Sequence, residues 1–171
     1  MSYPAPAPDS AYPPPKYDGD PGLVNARLRR AGAPEVTNKN GVTAEYLATG
    51  ASTNGQFGLY RWNMSPARSG PDPHFHRSIS ESFFVISGSV KLYDGREWVE
   101  ARLGDFLFVP EGGIHGFRNE SGEDASMLIL FAPGKARERF FKEMEEIRIS
   151  GRTMTQGQWT ELYARNDQYM V

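Results

Sequence analysis

Three histidines and one glutamate are the residues of this sequence whose types and spacing best suit metal chemistry. His74 and His76 stand two residues apart, Glu81 follows five residues later, and His115 closes a run rich in glycine and proline. The chain has no other histidine. Imidazole is the commonest metal ligand in proteins, and carboxylate binds the same divalent transition metals. We therefore predict a single metal site that contains all four side chains.

Strand geometry explains how the first three of these residues converge. Side chains two residues apart point to the same face of a strand, so His74 and His76 face one way and Phe75 the other. Glu81 opens the next run, Ser82-Phe83-Phe84-Val85-Ile86. Its face continues with Phe83 and Val85, which predicts a carboxylate that looks inward beside the histidines and above an apolar wall.

His115 needs a different support because it lies far along the chain. It follows the turn Pro110-Glu111-Gly112-Gly113, where glycine can adopt positive φ values that strain other residues. Three imidazoles and one carboxylate suit Fe(II), Mn(II), Co(II), Ni(II), Cu(II) or Zn(II), and the ligand types alone do not select among them. Four protein ligands leave two open positions on an octahedral ion, as a catalytic site requires. Glu81 is either a ligand or a catalytic base.

The elements that must position these side chains are short strands. Runs rich in aromatic and aliphatic residues alternate with Gly, Pro, Asn and Asp, which is typical of strands joined by tight turns. Asp94-Gly95 predicts a type I′ hairpin turn between an antiparallel pair. The pattern indicates an all-β antiparallel barrel or jelly roll. The predicted strands are 43–47, 57–63, 83–85, 90–93, 97–101, 106–109, 116–118 and 126–131.

Composition divides the chain into three predicted parts. Residues 1–22 are rich in proline and predict an extended or flexible arm. Residues 23–133 form the barrel domain. Residues 134–171 form a helical extension packed on the barrel, with apolar residues at spacings of three and four after Pro133-Gly134. A second helix begins near Thr155, where Thr-x-x-Gln resembles a capping box.

Charge and composition argue against several function classes. The formal net charge is −2, so the chain lacks the broad basic field that attracts nucleic acid. With no cysteine, it has neither disulfides nor thiolate ligands. No stretch is apolar enough for a membrane helix, and the first residues do not resemble a secretory signal. We expect a cytoplasmic protein that binds neither nucleic acid nor a membrane.

Two motifs resemble those of the cupin superfamily. The segment from His74 to Gly88 is similar to its first motif, His-x-His, four residues, Glu81, six residues, Gly88. The second motif is matched by Gly104, Pro110, Gly112, His115 and Asn119. The resemblance covers about residues 40–132 and implies a cupin barrel of the small bacterial single-domain type. The family's metal ligands would be His74, His76, Glu81 and His115. One position departs from the pattern, because Arg68 stands where the family has a glycine and Gly70 lies two residues closer.

Weaker similarity after the barrel points to cupins like quercetin 2,3-dioxygenase. It implies a metal-dependent dioxygenase that acts on a small aromatic or phenolic substrate, with Glu81 as the base and dioxygen as co-substrate. Two alternatives stay open: a non-oxidative isomerase, cyclase or lyase, and a non-enzymatic module that binds metal and a small ligand. We expect a homodimer, the default symmetry of soluble oligomers. The residues predicted to line a substrate pocket, several of which would equally fill a core, are Tyr60, Trp62, Phe83, Val85, Phe106 and Phe117.

Overall fold

The computed structural model describes residues 12–17, 19, 21–38, 41–135 and 137–171. The chain divides into two compact units, Met1–Ala31 and Gly32–Val171. The described residues of the first unit form neither helix nor strand, and the Tyr17 hydroxyl donates to the carbonyl of Pro21 at 2.7 Å. Residues 1–11, 18 and 20 of the predicted arm lie outside the described residues.

The second unit is built from antiparallel strands, as predicted. Its largest sheet has six strands in the order β1-β2-β3-β10-β5-β8, and smaller sheets have the orders β7-β6-β9 and β11-β4. All the ladders are antiparallel. The strands are β1 (Val36–Thr37), β2 (Thr43–Ala48), β3 (Gly58–Met64), β4 (His74–Phe75), β5 (Ser80–Ser87), β6 (Ser89–Tyr93), β7 (Trp98–Arg102), β8 (Phe106–Val109), β9 (Gly116–Arg118), β10 (Ala125–Ala132) and β11 (Tyr169–Met170).

The core lies on one face of the six-stranded sheet, because its strands alternate between buried and more exposed side chains. Strand β10 pairs with β3 on one side and β5 on the other, and every second residue is buried. Met127, Ile129 and Phe131 project inward from it, opposite Phe83 and Val85 of β5. This period-two burial is what a sheet with one face against a core requires.

The hairpin between β6 and β7 differs from the prediction. Tyr93 pairs with Trp98, so the loop has four residues, Asp94 to Glu97, and the two-residue type I′ turn is wrong. The Asp94 carboxylate accepts hydrogen bonds from the backbone N–H groups of Arg96 and Glu97, both at 2.9 Å. This side-chain cap stabilises a wider loop, which the Asp-Gly pair alone does not indicate.

Among the described residues, two helices lie between β10 and β11 in sequence: α1 (Arg137–Ser150) and α2 (Gln156–Arg165). Phe141 of α1 packs against the sheet core, while Phe140 and Ile147 pack with Leu162 of α2. The predicted capping box is confirmed: the Thr155 side chain accepts from the backbone of Gln158, whose side chain in turn binds the backbone of Thr155. The packing of Phe141 on the sheet core attaches α1 to the strands, and the packing of α1 with α2 attaches the second helix.

Gly70 explains the departure in the first motif. It has a φ of 129°, and a Cβ atom placed there would lie 1.9 Å from the backbone oxygen of Phe117. The loop that leads to His74 therefore requires glycine at this position. The exposed Arg68 has no such constraint.

Candidate metal centre

His74 and His115 are brought together by a backbone bridge. The N–H of each residue donates to the carbonyl of the other at 2.8 Å, which forms an isolated antiparallel bridge. The two ring centroids are 4.4 Å apart. The predicted turn contributes as well, because the N–H of Gly112, whose φ is 82°, donates to the carbonyl of His76. Gly113 does not have positive φ; it lies against Val109, where a Cβ would be crowded.

Glu81 lies at the centre of the group. As the second residue of β5 it pairs with Val109 of β8 and Phe131 of β10, which directs its side chain inward. Its Oε2 atom is 2.7 Å from Nε2 of His115 and 3.2 Å from Nε2 of His76. All four predicted ligands are buried, so the structure brings the whole set together.

The outer nitrogen of each imidazole is held by a backbone carbonyl. Nδ1 of His74 lies 2.8 Å from the oxygen of Asp72, and Nδ1 of His115 lies 3.0 Å from the oxygen of Gly113. Nδ1 of His76 lies 2.5 Å from the oxygen of Asp167. Because a carbonyl only accepts, each Nδ1 carries a proton, and Nε2 is the atom through which each ring can bind a metal ion. Proteins use this arrangement to orient metal-binding histidines.

The spacing of the ligand atoms fits one transition-metal ion. One ligand atom from each residue lies within 4.8 Å of all the others. An ion with bonds of about 2.1 Å places its ligands roughly 3 to 4.2 Å apart, so the group needs only a small inward movement. The set contains three imidazole nitrogens and one carboxylate and no thiolate. It therefore lacks the preference for soft metals that thiolate sites have.

The protonation states of the group favour cation binding. Burial alone would raise the pKa of the Glu81 carboxyl, but its hydrogen bonds with His115 and His76 and their charges hold it well below its usual range. Burial lowers the pKa of His74 to about 4. An ionised buried carboxylate beside the neutral imidazole of His74 favours a positive charge in the site, whether from a proton or from a metal ion.

His115 differs from His74 although both are buried. Burial lowers its pKa, but the hydrogen bond that its Nε2 donates to Glu81 and the negative charge of that carboxylate outweigh burial, so the pKa is raised above its ordinary value. A proton therefore competes with a metal ion for Nε2 of His115 near neutral pH.

Four of the six residues predicted to line a pocket are core residues. Tyr60, Phe83, Val85 and Phe117 are buried, and the Phe83 ring centroid is 5.9 Å from that of His115. Trp62 is partly buried and packs edge-on against Phe117. The structure thus places these side chains in or against the core, with Phe83 beside His115.

Phe106 was wrongly predicted to line the pocket. Its side chain is 63% exposed, because Leu107 and Val109 occupy the inward positions of β8. Phe106 and Phe108 therefore share the outer face of the sheet. A run of four apolar residues fills both faces, so its alternation does not reveal which face is the inner one.

Sequence reasoning missed two residues that support the site from a distance. Asp167 supplies the carbonyl for His76, 91 residues away in sequence. Arg137 is buried behind the site and donates to the carbonyl of Asn166 at 2.7 Å and to the side chain of Gln168 at 3.2 Å. Burial lowers the pKa of Arg137, and the charge of Glu81 partly opposes that shift. No local motif marks either residue.

Comparison with known proteins places this geometry in a family. A model of the cupin domain matches residues 60–131, which include all four buried ligand candidates. Residues 60–131 form a cupin domain. The cupin barrel, its antiparallel strands and the predicted resemblance are thereby confirmed.

Curated relatives of this cupin extend over only part of its length. An uncharacterized protein of Aquifex aeolicus is 36% identical over 61 residues, which are 36% of this chain and 50% of the relative. An uncharacterized protein of Streptomyces coelicolor is 32% identical over 52% of this chain and 79% of its own length. Quercetin 2,3-dioxygenase of Bacillus subtilis is 26% identical over 57% of this chain and 28% of the enzyme. The chain therefore spans about half or less of the length of the Aquifex and Bacillus proteins.

Solved structures share the fold. The polyketide cyclase RemF of Streptomyces resistomycificus matches 64% of this chain and 82% of its own, with a TM-score of 0.53 and 24% identity. At this identity the likeness concerns the barrel alone. Within the described part of the chain, no helix has the length and apolar character needed to cross a membrane.

Proposed function

We propose that this cupin is a metal-dependent dioxygenase that acts on a small aromatic or phenolic substrate. The observation that carries the proposal is the buried group of His74, His76, Glu81 and His115, whose three Nδ1 atoms are already held by carbonyls. The proposed ligands are these four residues, and the ion is Fe(II), Mn(II), Co(II), Ni(II), Cu(II) or Zn(II). The partial similarity to quercetin 2,3-dioxygenase supports the choice of reaction.

The histidines would hold the ion through Nε2, and Glu81 would either complete the ligand set or leave it to act as a base. When bound, the ion would supply Lewis acidity and open positions for the substrate and dioxygen. Dioxygen is the oxidant, and both of its atoms would enter the product. These roles depend on the protein's ability to orient donors and to exclude bulk water.

Glu81 is the proposed catalytic residue. Its carboxyl is ionised because its pKa lies below the usual range, so Oε2 can accept the proton of a substrate hydroxyl. Deprotonation would leave an electron-rich oxyanion of the kind that reacts with dioxygen. Because a low pKa makes Glu81 a weak base, this transfer requires a substrate whose hydroxyl is itself acidic.

The aromatic wall would bind the ring of the substrate. Phe83 lies beside His115, and the centroid of the Phe131 ring is 6.1 Å from that of His76. Phe117 and Val85 belong to the same buried cluster as these two rings, and Trp62 packs against that cluster. Tyr60 is anchored by a 2.7 Å hydrogen bond from its hydroxyl to the Glu138 carboxylate. Apolar rings here would keep water from a reactive intermediate.

An oxygen electrode tests the reaction directly. The purified protein, loaded separately with Fe(II), Mn(II), Co(II), Ni(II), Cu(II) and Zn(II), is screened against flavonols, other phenols and diketones. We expect oxygen uptake in proportion to product with at least one phenolic substrate. Turnover that continues without oxygen would overturn the dioxygenase and favour a cyclase, isomerase or lyase. Bound metal without turnover across the panel would favour a binding protein.

We also propose that the protein is a homodimer formed through the outer face of β5 and β8. Phe84, Phe106 and Phe108 are 41%, 63% and 56% exposed on this face, next to the edge of the six-stranded sheet. Exposed aromatic clusters of this kind mark interaction surfaces. A second copy can cover the face by two-fold symmetry, since each copy then presents the same patch.

A further inference from the structure

The three imidazoles differ in the origin of their supporting carbonyls. His74 and His115 are each held by the carbonyl two residues earlier in the chain, Asp72 and Gly113. Any chain conformation that retains these turns retains those hydrogen bonds. His76 instead depends on Asp167, which lies beyond the end of α2. Its orientation therefore depends on whether residues 166–171 stay docked.

Residues 166–171, which we call the docking segment, contain the short strand β11, which pairs with β4. In β11, Tyr169 pairs with Phe75 and Met170 pairs with His74. The N–H of Val171 donates to the carbonyl of Pro73 at 3.1 Å. The rings of Tyr169 and Phe75 are stacked with centroids 5.2 Å apart. The docking segment thus lies alongside the strand that contains His74, and that strand leads into His76.

The side chain of Asp167 is hydrogen-bonded to the two residues that follow His76. Its carboxylate accepts hydrogen bonds from the N–H of Arg77 at 3.0 Å, the N–H of Ser78 at 2.9 Å and the hydroxyl of Ser78 at 2.7 Å. Its φ of 56° is in the left-handed region, which Asp and Asn tolerate better than most residues. One residue therefore presents its carbonyl to His76 and its carboxylate to the next two amides.

Arg137 holds the docking segment on both sides of Asp167. Its guanidinium donates to the carbonyl of Asn166 and to the side chain of Gln168, and it lies 4.6 Å from the centroid of the Phe140 ring. Because Arg137 is buried, these hydrogen bonds are shielded from water. The Asp167 peptide group, whose carbonyl faces His76, is thus held on one side by Arg137 of α1 and on the other by residues 77 and 78.

We propose that the docking segment is a positioning element of the metal site, in which the carbonyl of Asp167 fixes the orientation and tautomer of His76. This proposal rests on the metal site proposed above. Loss of the partner that orients a metal-binding histidine typically lowers metal affinity by about 10- to 100-fold. By linkage, if docking raises metal affinity by a given factor, metal binding must favour docking by the same factor.

Substitutions of Asp167 test the proposal against a matched control. Asp167→Val removes the carboxylate and opposes positive φ, whereas Asp167→Asn keeps an acceptor and tolerates that φ. Asn54→Val is the control, since Asn54 is the other described non-glycine residue with positive φ, 53°, and lies in the exposed loop between β2 and β3. Asp167→Gly, which accepts the backbone conformation, serves if the valine variant does not fold.

Metal affinity is measured by Co(II) titration followed by visible absorption. We expect about 10- to 100-fold weaker binding for Asp167→Val, a change of less than about threefold for Asp167→Asn, and no change for Asn54→Val at equal folded fraction. Asp167→Gly should bind more weakly than wild type because its carboxylate is lost. Equal affinity of Asp167→Val and Asn54→Val would overturn the positioning role while leaving the metal site intact. A wild-type protein that binds no Co(II) would overturn both.

Two further readouts do not depend on catalysis. In chelator-treated protein, the ¹⁵N shifts of the His76 ring should show the Nδ1–H tautomer, and Asp167→Val should shift the tautomer balance. Addition of Zn(II) to wild type should slow hydrogen exchange at the amides of Tyr169 and Val171. An unchanged tautomer in the variant, or unchanged exchange with saturating Zn(II), would contradict the coupling.

Discussion

The two faces of strands β5 and β8 carry opposite chemistry. Inside, Glu81 and Phe83 face Val109 and Leu107, and the carboxylate is satisfied by two imidazoles. Outside, the phenylalanine side chains of β5 and β8 are exposed. A buried carboxylate within an otherwise apolar inner face and a cluster of exposed aromatic rings thus occur on a single pair of strands. Buried polar groups with complete partners indicate a functional site, whereas exposed aromatic residues indicate an interface.

The largest contrast between the faces should appear in stability. Phe83→Ala removes a fully buried ring and leaves a cavity, so we expect a loss of about 3 to 5 kcal/mol in the free energy of unfolding. Phe106→Ala should change the stability of the monomer by only about 0.5 kcal/mol or less. Urea unfolding of both variants at low protein concentration checks this. Equal losses in the free energy of unfolding would contradict the assignment of Phe83 to the buried inner face and Phe106 to the exposed outer face.

That contrast was only partly accessible from the sequence. The spacing of His74, His76, Glu81 and His115 predicted the inner face, because side-chain alternation and two motifs agreed. The outer position of Phe106 was not predictable, since Phe-Leu-Phe-Val is apolar at every position. The role of Asp167 depends on where the end of the chain packs, which no local pattern encodes.

The inner face should also show a characteristic pH dependence. Since the pKa of His74 is lowered to about 4, its contribution to stability is complete above about pH 6.5 and is lost as pH falls toward 4. The loss should reach roughly 3 kcal/mol. His115 acts in the opposite direction, because its raised pKa gives stability that is lost as pH rises through that value.

Chelator-treated protein should therefore be most stable near pH 6.5, measured by urea unfolding from pH 4 to 9. His74→Gln should flatten the acid side of this profile and leave the alkaline side in place. Stability that is constant between pH 4 and 6.5 in wild type would contradict the buried neutral state of His74.

Metal binding should release a proton from the same face. The pKa of His115 is raised because its protonated Nε2 donates a hydrogen bond to the Glu81 carboxylate. A metal ion that binds Nε2 near pH 7 must therefore displace that proton. We expect affinity to rise with pH until the raised pKa of His115 is passed, by up to about tenfold for each pH unit. Calorimetry in two buffers with different ionisation enthalpies measures the released protons. Glu81→Gln should abolish this release, because burial then keeps His115 neutral.

The smallest effect on folding should come from the outer face. Phe106→Ser combined with Phe108→Ser should leave the free energy of unfolding of the monomer nearly unchanged, since both side chains are already exposed. The same double variant should abolish the proposed homodimer, observed by sedimentation velocity. A wild-type protein that sediments as a monomer, or a double variant that remains dimeric, would place the interface elsewhere or remove it.

Metal content is the measurement that most directly tests the central claim, that the inner face is a metal site. The purified wild type, His76→Ala and a control, Arg96→Ala in the exposed β6–β7 loop, are each loaded with metal, dialysed and analysed by mass spectrometry. The account predicts about one transition-metal ion per chain in wild type and Arg96→Ala, and loss of that ion in folded His76→Ala. Equal metal content in His76→Ala and wild type would contradict it.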